Sequence, residues 1–260
     1  MATDPDPLDF SGRTVLVTGG TKGVGRGIAE RFLRAGATVV ITARSEPDEP
    51  VRVGDAVAIF TPADLRDADQ AAATVADAVE AGGRLDTVVN NAGGAPPADA
   101  ATASPRFSES ILKLNLLAPL HVSQAANAVM QAQDDGGSIV NIGSVSGIRP
   151  SPGSAVYGAS KAGLVGLTQS LAVEWAPKVR LNLVTGGLIR TEQAHLFYGD
   201  EEGIARVADT VPLGRMGTPE DIADACLFLA SPMASYISGA NLVIHGGGER
   251  PAFLGAAALD

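Results

Sequence analysis

Short runs of consecutive apolar residues alternate along this chain with longer stretches in which apolar positions recur every three or four residues. The run at 14–18 reads as a buried strand, 23–35 as a helix ended by Gly36, and 38–42 as a second strand. Residues 45–55, rich in Pro, Glu and Asp, read as a surface loop, and a third strand at 56–60 leads to Asp64. An Ala-rich amphipathic helix over 66–81 stops at Gly82 and Gly83, and 85–89 gives a fourth strand. The second half repeats the rhythm: a long helix over 105–132, a strand at 138–142, a Gly/Ser/Pro loop to 154 and a helix over 155–175 closed by Pro177. A strand at 179–184, an irregular stretch over 188–215, a helix opened by Pro219, Glu220 and Asp221, and a last strand at 241–244 complete the order. Strands that are apolar throughout, each followed by a helix, predict a parallel sheet covered on both faces. The expected fold class is α/β, a doubly wound parallel sheet in three layers, as a single domain over 1–260 with a disordered lead-in at 1–10.

Composition agrees with one large domain, since 260 residues with 45% apolar content can bury a full core. No apolar run reaches the length of a membrane span, and the opening MATDPDPLDF is acidic and Pro-rich, so neither a signal nor a transit peptide is expected and the protein is read as cytoplasmic. The single cysteine, Cys226, lies in a periodic apolar run and reads as a core residue, which excludes a disulfide within the chain. Net charge is −10, from 19 basic and 29 acidic residues, with no basic run to follow a nucleic-acid backbone. His121, His195 and His245 lie far apart without Cys or His companions at ligand spacing, so no metal is expected.

The chemistry concentrates at strand ends. TGGTKGVG, residues 18–25, sits at a strand-to-helix turn, where Gly19, Gly23 and Gly25 let the backbone turn tightly and approach a ligand closely. The first helical turn adds free N–H groups and the positive end of a dipole, which suits a pyrophosphate, although three glycines alone fit a ligand-free loop equally well. Asn90, Asn91, Ala92 and Gly93 follow the fourth strand, Asn115 sits within the long helix, and Ser144 ends the fifth strand. Tyr157 and Lys161 lie four residues apart, on one helix face.

Taken together and in order, these motifs resemble the short-chain dehydrogenase/reductase family over residues 10–248: TGGTKGVG matches its cofactor loop TGxxxGxG, NNAG its sheet-stabilising motif, and Ser144 with YGASK its catalytic set. The resemblance implies a Rossmann fold that binds NAD(P) and transfers a hydride between nicotinamide and a carbonyl or secondary alcohol. In that reading Tyr157 is the acid/base, and because a phenol with a pKa near ~10 is a poor base at neutral pH, Lys161 is expected to supply the cation that stabilises its phenolate. Lys161 would also hold the nicotinamide ribose, Ser144 would hydrogen-bond the substrate oxygen, and Asn115 would kink its helix to hold a proton-relaying water. Taken singly, the Tyr–Lys pair could be a surface pair, Ser144 a turn residue and Asn115 a polar residue inside a helix.

By the same resemblance the cofactor contacts fall on Gly19, Thr21, Lys22, Gly23, Val24, Gly25, Arg44, Ser45, Asp64, Leu65, Asn91, Ala92, Gly93, Tyr157, Lys161, Gly187, Ile189 and Thr191. Asp64 would accept from the adenine amino group, or simply cap the next turn. Where NAD-using relatives place an acid at the end of the second strand, this chain has Ala43, followed by Arg44, and Lys22 lies in the glycine loop. The pair favours NADP(H), with NAD(H) as the alternative, although either cation alone could be a solvated surface charge.

Two departures from the family pattern stand out: Gly186-Gly187 replaces Pro-Gly after the sixth strand, and His245-Gly246-Gly247-Gly248 replaces Asp-Gly-Gly, leading into a tail over 249–260. The first leaves the backbone beside the nicotinamide less constrained, and His245 reads as a structural or subunit-interface residue. Residues 188–213 are expected to form a substrate lid, with Leu188, Leu196, Phe197, Tyr198 and Ile204 as apolar cover and Arg190, His195 and Arg206 as the nearby cations or potential cations. Ile148, Arg149, Pro150, Ser151 and Pro152 would form the facing wall. Such a lining suits a mostly apolar ketone, cyclic or acyl-thioester, unless the lid side chains pack on one another. Small residues on the helices over 105–132 and 155–175, Ala125, Ala126, Ala128, Ala159, Ala162, Gly163 and Gly166 among them, permit close helix contact, and the resemblance implies a homotetramer, with a homodimer as the alternative. An NAD-dependent alcohol dehydrogenase, a dinucleotide-sensing protein without catalysis and an enoyl reductase are the other readings; enoyl reductases space the tyrosine and lysine more widely.

Overall fold

β1 (Thr14–Thr18) shows why both faces of the sheet are covered: Val15 and Val17 point into one helical layer and Leu16 into the other, all fully buried. The computed structural model describes residues 6–256, in which β1 is followed by α1 (Gly23–Arg34), β2 (Thr38–Ala43), β3 (Arg52–Val53), β4 (Ala56–Val57), β5 (Ile59–Pro62), α2 (Ala68–Gly82) and β6 (Thr87–Asn90). Next come α3 (Pro105–Leu112), a π-helical turn (Lys113–Leu117), α4 (Ala118–Ala132), β7 (Gly137–Ser144), α5 (Ala155–Glu174) and β8 (Val179–Gly186). α6 (His195–Tyr198), α7 (Glu201–Asp209), α8 (Pro219–Ala230), β9 (Asn241–Ile244) and α9 (Ala252–Ala256) close the order.

Seven strands pair in the order β5-β2-β1-β6-β7-β8-β9, all parallel. The chain winds outward from β1 to β2 and β5, then crosses back to β6, so β1 and β6 flank the switch point where such sheets bind ligands. One core lies between the sheet and α1 with α8, and the other between the sheet and α2, α4 and α5. The expected doubly wound, three-layer α/β domain is the fold observed. Cys226 on α8 is buried in the first core.

Local chemistry sets the element ends. Asp67 caps α2 by accepting from the Asp69 and Gln70 N–H groups, and Gly83 ends it in the left-handed region at φ 74°. A reciprocal capping box between Thr218 and Asp221 opens α8. At the other end of α8, Arg180 Nη1 donates to the Leu229 carbonyl at 2.8 Å, which sets a cation against the negative end of the helix dipole.

Three expectations need correction. Residues 56–60 do not form one strand: Ala56 and Val57 pair with Arg52 and Val53 in a hairpin, and the strand that joins the sheet begins at Ile59. The loop over 45–55 therefore carries β3, and Val51 is buried in the core. The lead-in is ordered where it is described, because Phe10 is fully buried and its ring meets Phe32 edge-on at 5.1 Å; residues 1–5 lie outside the described residues. The long helix is divided by the π turn, which carries an extra residue through Asn115.

Candidate active site

A cleft of about 380 Å³ opens at the carboxyl ends of the strands. Gly19, Thr21, Lys22, Gly23, Val24 and Gly25 line it from the β1–α1 turn, Asn91, Ala92 and Gly93 from the segment after β6, and Ser144, Tyr157 and Lys161 from β7 and α5. Gly187, Ile189 and Thr191 close it after β8. Five residues expected in the site lie outside this lining. Arg44 and Ser45 are exposed just past β2, Asp64 follows β5, the Leu65 side chain belongs to the core, and Asn115 is fully buried behind Gly93. Ala43, Gly94, Ile142, Gly143, Gly186, Glu192, Gln193 and Ile222 also line the cleft. Several of these share a strand end with an expected residue, which is the signal that could have found them.

The glycine turn is a backbone cradle. A Cβ on Gly25 would stand 2.1 Å from the Gly19 carbonyl oxygen, so only glycine lets the first turn of α1 come this close. α1 also lacks a side-chain cap at Lys22, whereas Asp67, Ser104, Asp200 and Thr218 cap α2, α3, α7 and α8. Its first N–H groups therefore remain open to an anionic ligand in the cleft. The turn is fixed to the segment after β6 by Thr18, whose Oγ1 accepts from the Asn91 and Ala92 N–H groups at 2.9 Å. The Asn91 amide donates back to the Thr18 carbonyl at 3.0 Å and the Gly19 carbonyl at 3.1 Å. This role of Thr18 was not foreseen, although its place at the end of β1 marked it.

On the catalytic side, the turn after Ser144 packs directly on α5. A Cβ on Gly158 would stand 2.7 Å from the Ser146 carbonyl oxygen, so the glycine after Tyr157 holds Ser144 and Tyr157 in register. Ser151 Oγ donates to Ser146 Oγ at 3.0 Å and bonds Ser154 Oγ at 2.7 Å, which stiffens the same loop. Lys161 is 3% exposed; its Nζ donates to the Ile142 carbonyl at 2.7 Å and lies 5.8 Å from the centre of the Tyr157 ring. Burial lowers the Lys161 pKa to about 8.

The phenol behaves differently from the expectation. The pKa of Tyr157 is raised, chiefly by burial, with the Ser144 hydroxyl pulling it down and Tyr198 adding to the rise. Without cofactor, Tyr157 is therefore a protonated donor. Asn115 is tied to the glycine segment: its Oδ1 accepts from the Gly94 N–H at 2.8 Å, and its Nδ2 donates to the Gly94 and Ile111 carbonyls at 3.0 and 2.9 Å. The kink expected at Asn115 is the π turn, and the side chain itself packs under Gly93, beside Lys161.

Elsewhere the structure redistributes the expected roles. The Asp64 carboxylate is gripped by Arg66 through both oxygens, and Asp64 Oδ1 accepts from the Arg66 N–H at 3.2 Å, so it does cap its turn. Its pKa is held down by that pair, with a smaller contribution from Arg44. Within the lid, Leu188, Tyr198 and Ile204 pack with Ala194 and Met216, whereas Leu196 and Phe197 are 65% and 59% exposed and do not cover the cleft. Arg190 pairs with Glu201 at 2.8 Å, Arg206 with Glu202 at 2.7 Å, and His195 Nδ1 bonds the Glu192 carbonyl at 3.0 Å. The cations expected to meet a substrate are thus engaged within the lid. His245 lies behind Gly187, where a Cβ would stand 2.7 Å from the histidine's own Cβ, and it does not line the cleft. Among the described residues no group of three or more His, Cys, Asp or Glu could hold a metal, and no helix is long and apolar enough to cross a membrane.

A doubly wound sheet whose glycine cradle and buried Tyr–Lys pair share one cleft defines a dinucleotide-dependent oxidoreductase of the Rossmann class. Comparison with known proteins agrees: a family model described as enoyl-(acyl carrier protein) reductase matches residues 19–249. L-rhamnose 1-dehydrogenase (NAD(P)(+)) of Azotobacter vinelandii is 36% identical, the match covering 90% of this chain and 96% of the relative. A 3alpha-hydroxysteroid dehydrogenase of Mediterraneibacter gnavus is 35% identical over 90% of this chain and 96% of its own. The solved structure of Thermoplasma acidophilum aldohexose dehydrogenase superposes with a TM-score of 0.85 at 31% identity, covering 97% of each chain. The chain belongs to the short-chain dehydrogenase/reductase family, and it is an NAD(P)-dependent oxidoreductase acting on alcohol or carbonyl groups.

The buried ammonium gives a pH signature. The unfolded chain holds the Lys161 proton up to about 10.5 and the folded chain only up to about 8, so between these values the unfolded state binds more protons. Stability contributed by this group therefore rises with pH through that window, and below about 8 its burial is a constant penalty. Denaturant unfolding of the ligand-free protein at pH 7.5 to 10.5 is expected to show the rise in wild type and to lack it in Lys161→Met. Parallel curves for the two would refute the assignment.

Proposed function

We infer that the enzyme uses NADP(H) to interconvert a ketone and a secondary alcohol on a mostly apolar substrate. The observation that carries this reading is the single cleft that joins the glycine cradle to Ser144, Tyr157 and Lys161. The cradle fits the cofactor's pyrophosphate, since α1 offers uncapped N–H groups to the cleft and glycine at 25 lets that first turn close on Gly19. Asn91, Ala92 and Gly93 would lie along the adenosine, and Gly187, Ile189 and Thr191 along the nicotinamide. When bound, the nicotinamide supplies or accepts the hydride. Tyr157, protonated and in contact with Ser144, donates its proton to the carbonyl oxygen in the reductive direction, while Ser144 holds that oxygen by a hydrogen bond. Lys161 places a positive charge next to the tyrosine and the ribose, and Asn115 fixes the glycine segment beneath it. In the oxidative direction the same groups run in reverse.

The preference for NADP(H) over NAD(H) rests on Ala43, which lines the cleft where an acid would repel a 2′-phosphate, and on Lys22 and Arg44, which make no side-chain hydrogen bond or ion pair among the described residues. An apolar patch of Pro96, Phe107, Ile111 and Val156 lines a small crevice of about 20 Å³ beside Tyr157, and it supports an apolar substrate as wall rather than as a pocket. The enoyl reductase description of the matching family model does not change the reading, because the Tyr157–Lys161 spacing of four is that of the carbonyl-reducing members the sequence resembles. A cytoplasmic location fits a chain with no membrane-crossing helix among the described residues.

Assembly as a homotetramer is supported by α5, which exposes Ala155, Ala159, Ala162, Gly163, Gly166 and Val173 as a stripe of small or apolar residues. A Cβ on Gly166 would meet nothing within 4 Å, which leaves room for a second helix. The edge strand β9, half-exposed throughout, offers a further surface. Light scattering at micromolar concentration is expected to give four times the chain mass, and a monomeric mass would exclude the assembly.

Two mutants test the chemistry and the cofactor. Tyr157→Phe is expected to keep the fold and cofactor binding while losing on the order of 10²–10⁴ in turnover, the usual worth of a positioned general acid. Turnover close to wild type in that mutant, or better wild-type efficiency on small polyols than on apolar ketones, would remove this reading. Arg44→Ala is expected to weaken NADPH by roughly ten- to a hundredfold with little effect on NADH, the value of one charge-assisted hydrogen bond. A wild-type preference for NADH, or equal loss for both cofactors in kcat/KM, would remove the NADP(H) assignment and leave the reductase reading standing.

A further inference from the structure

Among the residues that line the cleft, Glu192 is the one carboxylate, and it stands at the phosphate end. The backbone that carries it is fastened on both sides. The Arg190 N–H donates to the Gly217 carbonyl at 2.8 Å, the Ala194 N–H to the Thr191 carbonyl at 3.0 Å, and His195 Nδ1 bonds the Glu192 carbonyl at 3.0 Å. From this fixed segment the side chain reaches the glycine turn: a Cβ on Gly23 would stand 3.8 Å from Glu192 Oε1 and 3.6 Å from Thr191 Cγ2. Gly23 opens α1, the helix whose first N–H groups have no side-chain cap. The Glu192 carboxylate makes no hydrogen bond or ion pair among the described residues, so it lies beside this helix end without being bonded to it.

We propose that Glu192 sets the affinity for the dinucleotide: its carboxylate opposes the pyrophosphate at the glycine turn, so that NADP(H) and NAD(H) bind less tightly and leave faster than the cradle alone would allow. The proposal rests on the reading of that turn as a pyrophosphate cradle and adds a residue that works against binding there. An acid near a helix N-terminus commonly caps it, as Asp67 and Asp200 do at α2 and α7. Glu192 does not cap α1, which leaves the N–H groups to a ligand and a second negative charge next to that ligand. Lys22 lies on the same turn and forms no pair with Glu192, so it does not neutralise the acid.

The carboxylate has room to yield. Thr191 and Glu192 also line an outer cavity of about 460 Å³, so the side chain can turn away from the glycine turn while its backbone keeps the bonds above. That cavity holds Glu201 and Glu220 as well as Arg190 and His195, and Arg190 is already paired with Glu201. It therefore offers Glu192 space and solvent rather than a strong new partner, and the cost of bringing the pyrophosphate in remains.

The test is calorimetric titration of the full chain with NADPH and with NADH at about 50 mM salt, which reads binding without turnover. Glu192→Gln removes the charge and keeps the shape. It is expected to lower Kd for both cofactors by roughly three- to thirtyfold, the size of a repulsion between charges a few ångströms apart in a partly solvated site. Most of the gain should appear as slower cofactor release. Glu192→Lys is expected to lower Kd further. The gain should shrink as salt is raised to about 500 mM, because solvated charges are screened, whereas a gain from altered packing would persist. An effect shared by both cofactors also separates Glu192 from Arg44, whose expected contact with the 2′-phosphate concerns NADPH alone. A Kd unchanged or raised in Glu192→Gln, a gain for one cofactor only, or a gain that salt leaves intact overturns the proposal while the cradle reading stands. Failure of both cofactors to bind wild type overturns the cradle reading and the proposal with it.

Discussion

Lys161 places an ammonium group in the interior with no carboxylate paired to it among the described residues, and much of the cleft is arranged around that placement. Such a group costs several kcal/mol to desolvate unless strong acceptors meet it. Here one acceptor, the Ile142 carbonyl, meets it from β7 at 2.7 Å. The lowered pKa is the residual cost of this burial. Space for the long side chain comes from residues that have none: a Cβ on Gly93 would stand 3.3 Å from Nζ, and one on Gly147 would meet the Lys161 backbone at 2.7 Å. The lysine, the glycine segment after β6 and the turn after Ser144 are thus one packing unit.

A second layer of polar bonds carries this unit into the sheet. Asn90 donates to Asn141 Oδ1 and to Ser123 Oγ, each at 2.9 Å, and Asn141 donates to Thr168 Oγ1 on α5 at 2.9 Å. β6, β7, α4 and α5 are therefore joined by side-chain hydrogen bonds just below the cleft. Inside a low-dielectric core such bonds hold register strictly, because a slipped strand would leave several polar groups unsatisfied. The same logic applies at Thr18, where one hydroxyl serves two N–H groups of the neighbouring segment. The glycine turn and the Ser144–Lys161 side of the cleft are thus each tied to the sheet by side-chain hydrogen bonds.

The segment over 188–213 packs Leu188, Tyr198 and Ile204 with Ala194 and Met216 and pairs Arg190 and Arg206 with its own glutamates, so it is a small cluster with its own contacts. Its attachment to α8 runs through Arg215 and Asp221. Arg215 holds the Asp221 carboxyl down to about 2, and Asp221 also closes the helix cap with Thr218. The tail meets the lid at Thr210 and the substrate loop at Arg149.

The sequence by itself determined the alternation of strands and helices, the parallel sheet and the strand ends that line the cleft. Those signals are local: apolar runs of strand length, glycines at a strand-to-helix turn, and a Tyr and Lys four apart on one face. Where local signals were weak it misplaced elements, as at 56–60, where Ala56 and Val57 pair in a hairpin before the chain joins the sheet at Ile59. It also treated Phe10 as part of a disordered lead-in, because burial of one aromatic against Phe32 is a contact between distant positions. Only the tertiary structure decided the electrostatics. Spacing put Lys161 beside Tyr157, but the burial that raises the phenol's pKa and lowers the ammonium's, and the Ile142 carbonyl that meets the ammonium, exist only in the folded chain. Likewise Arg149 and Glu249 carry no mutual signal in sequence, since a pair a hundred residues apart exists only after the sheet has brought the turn following β7 and the segment following β9 together.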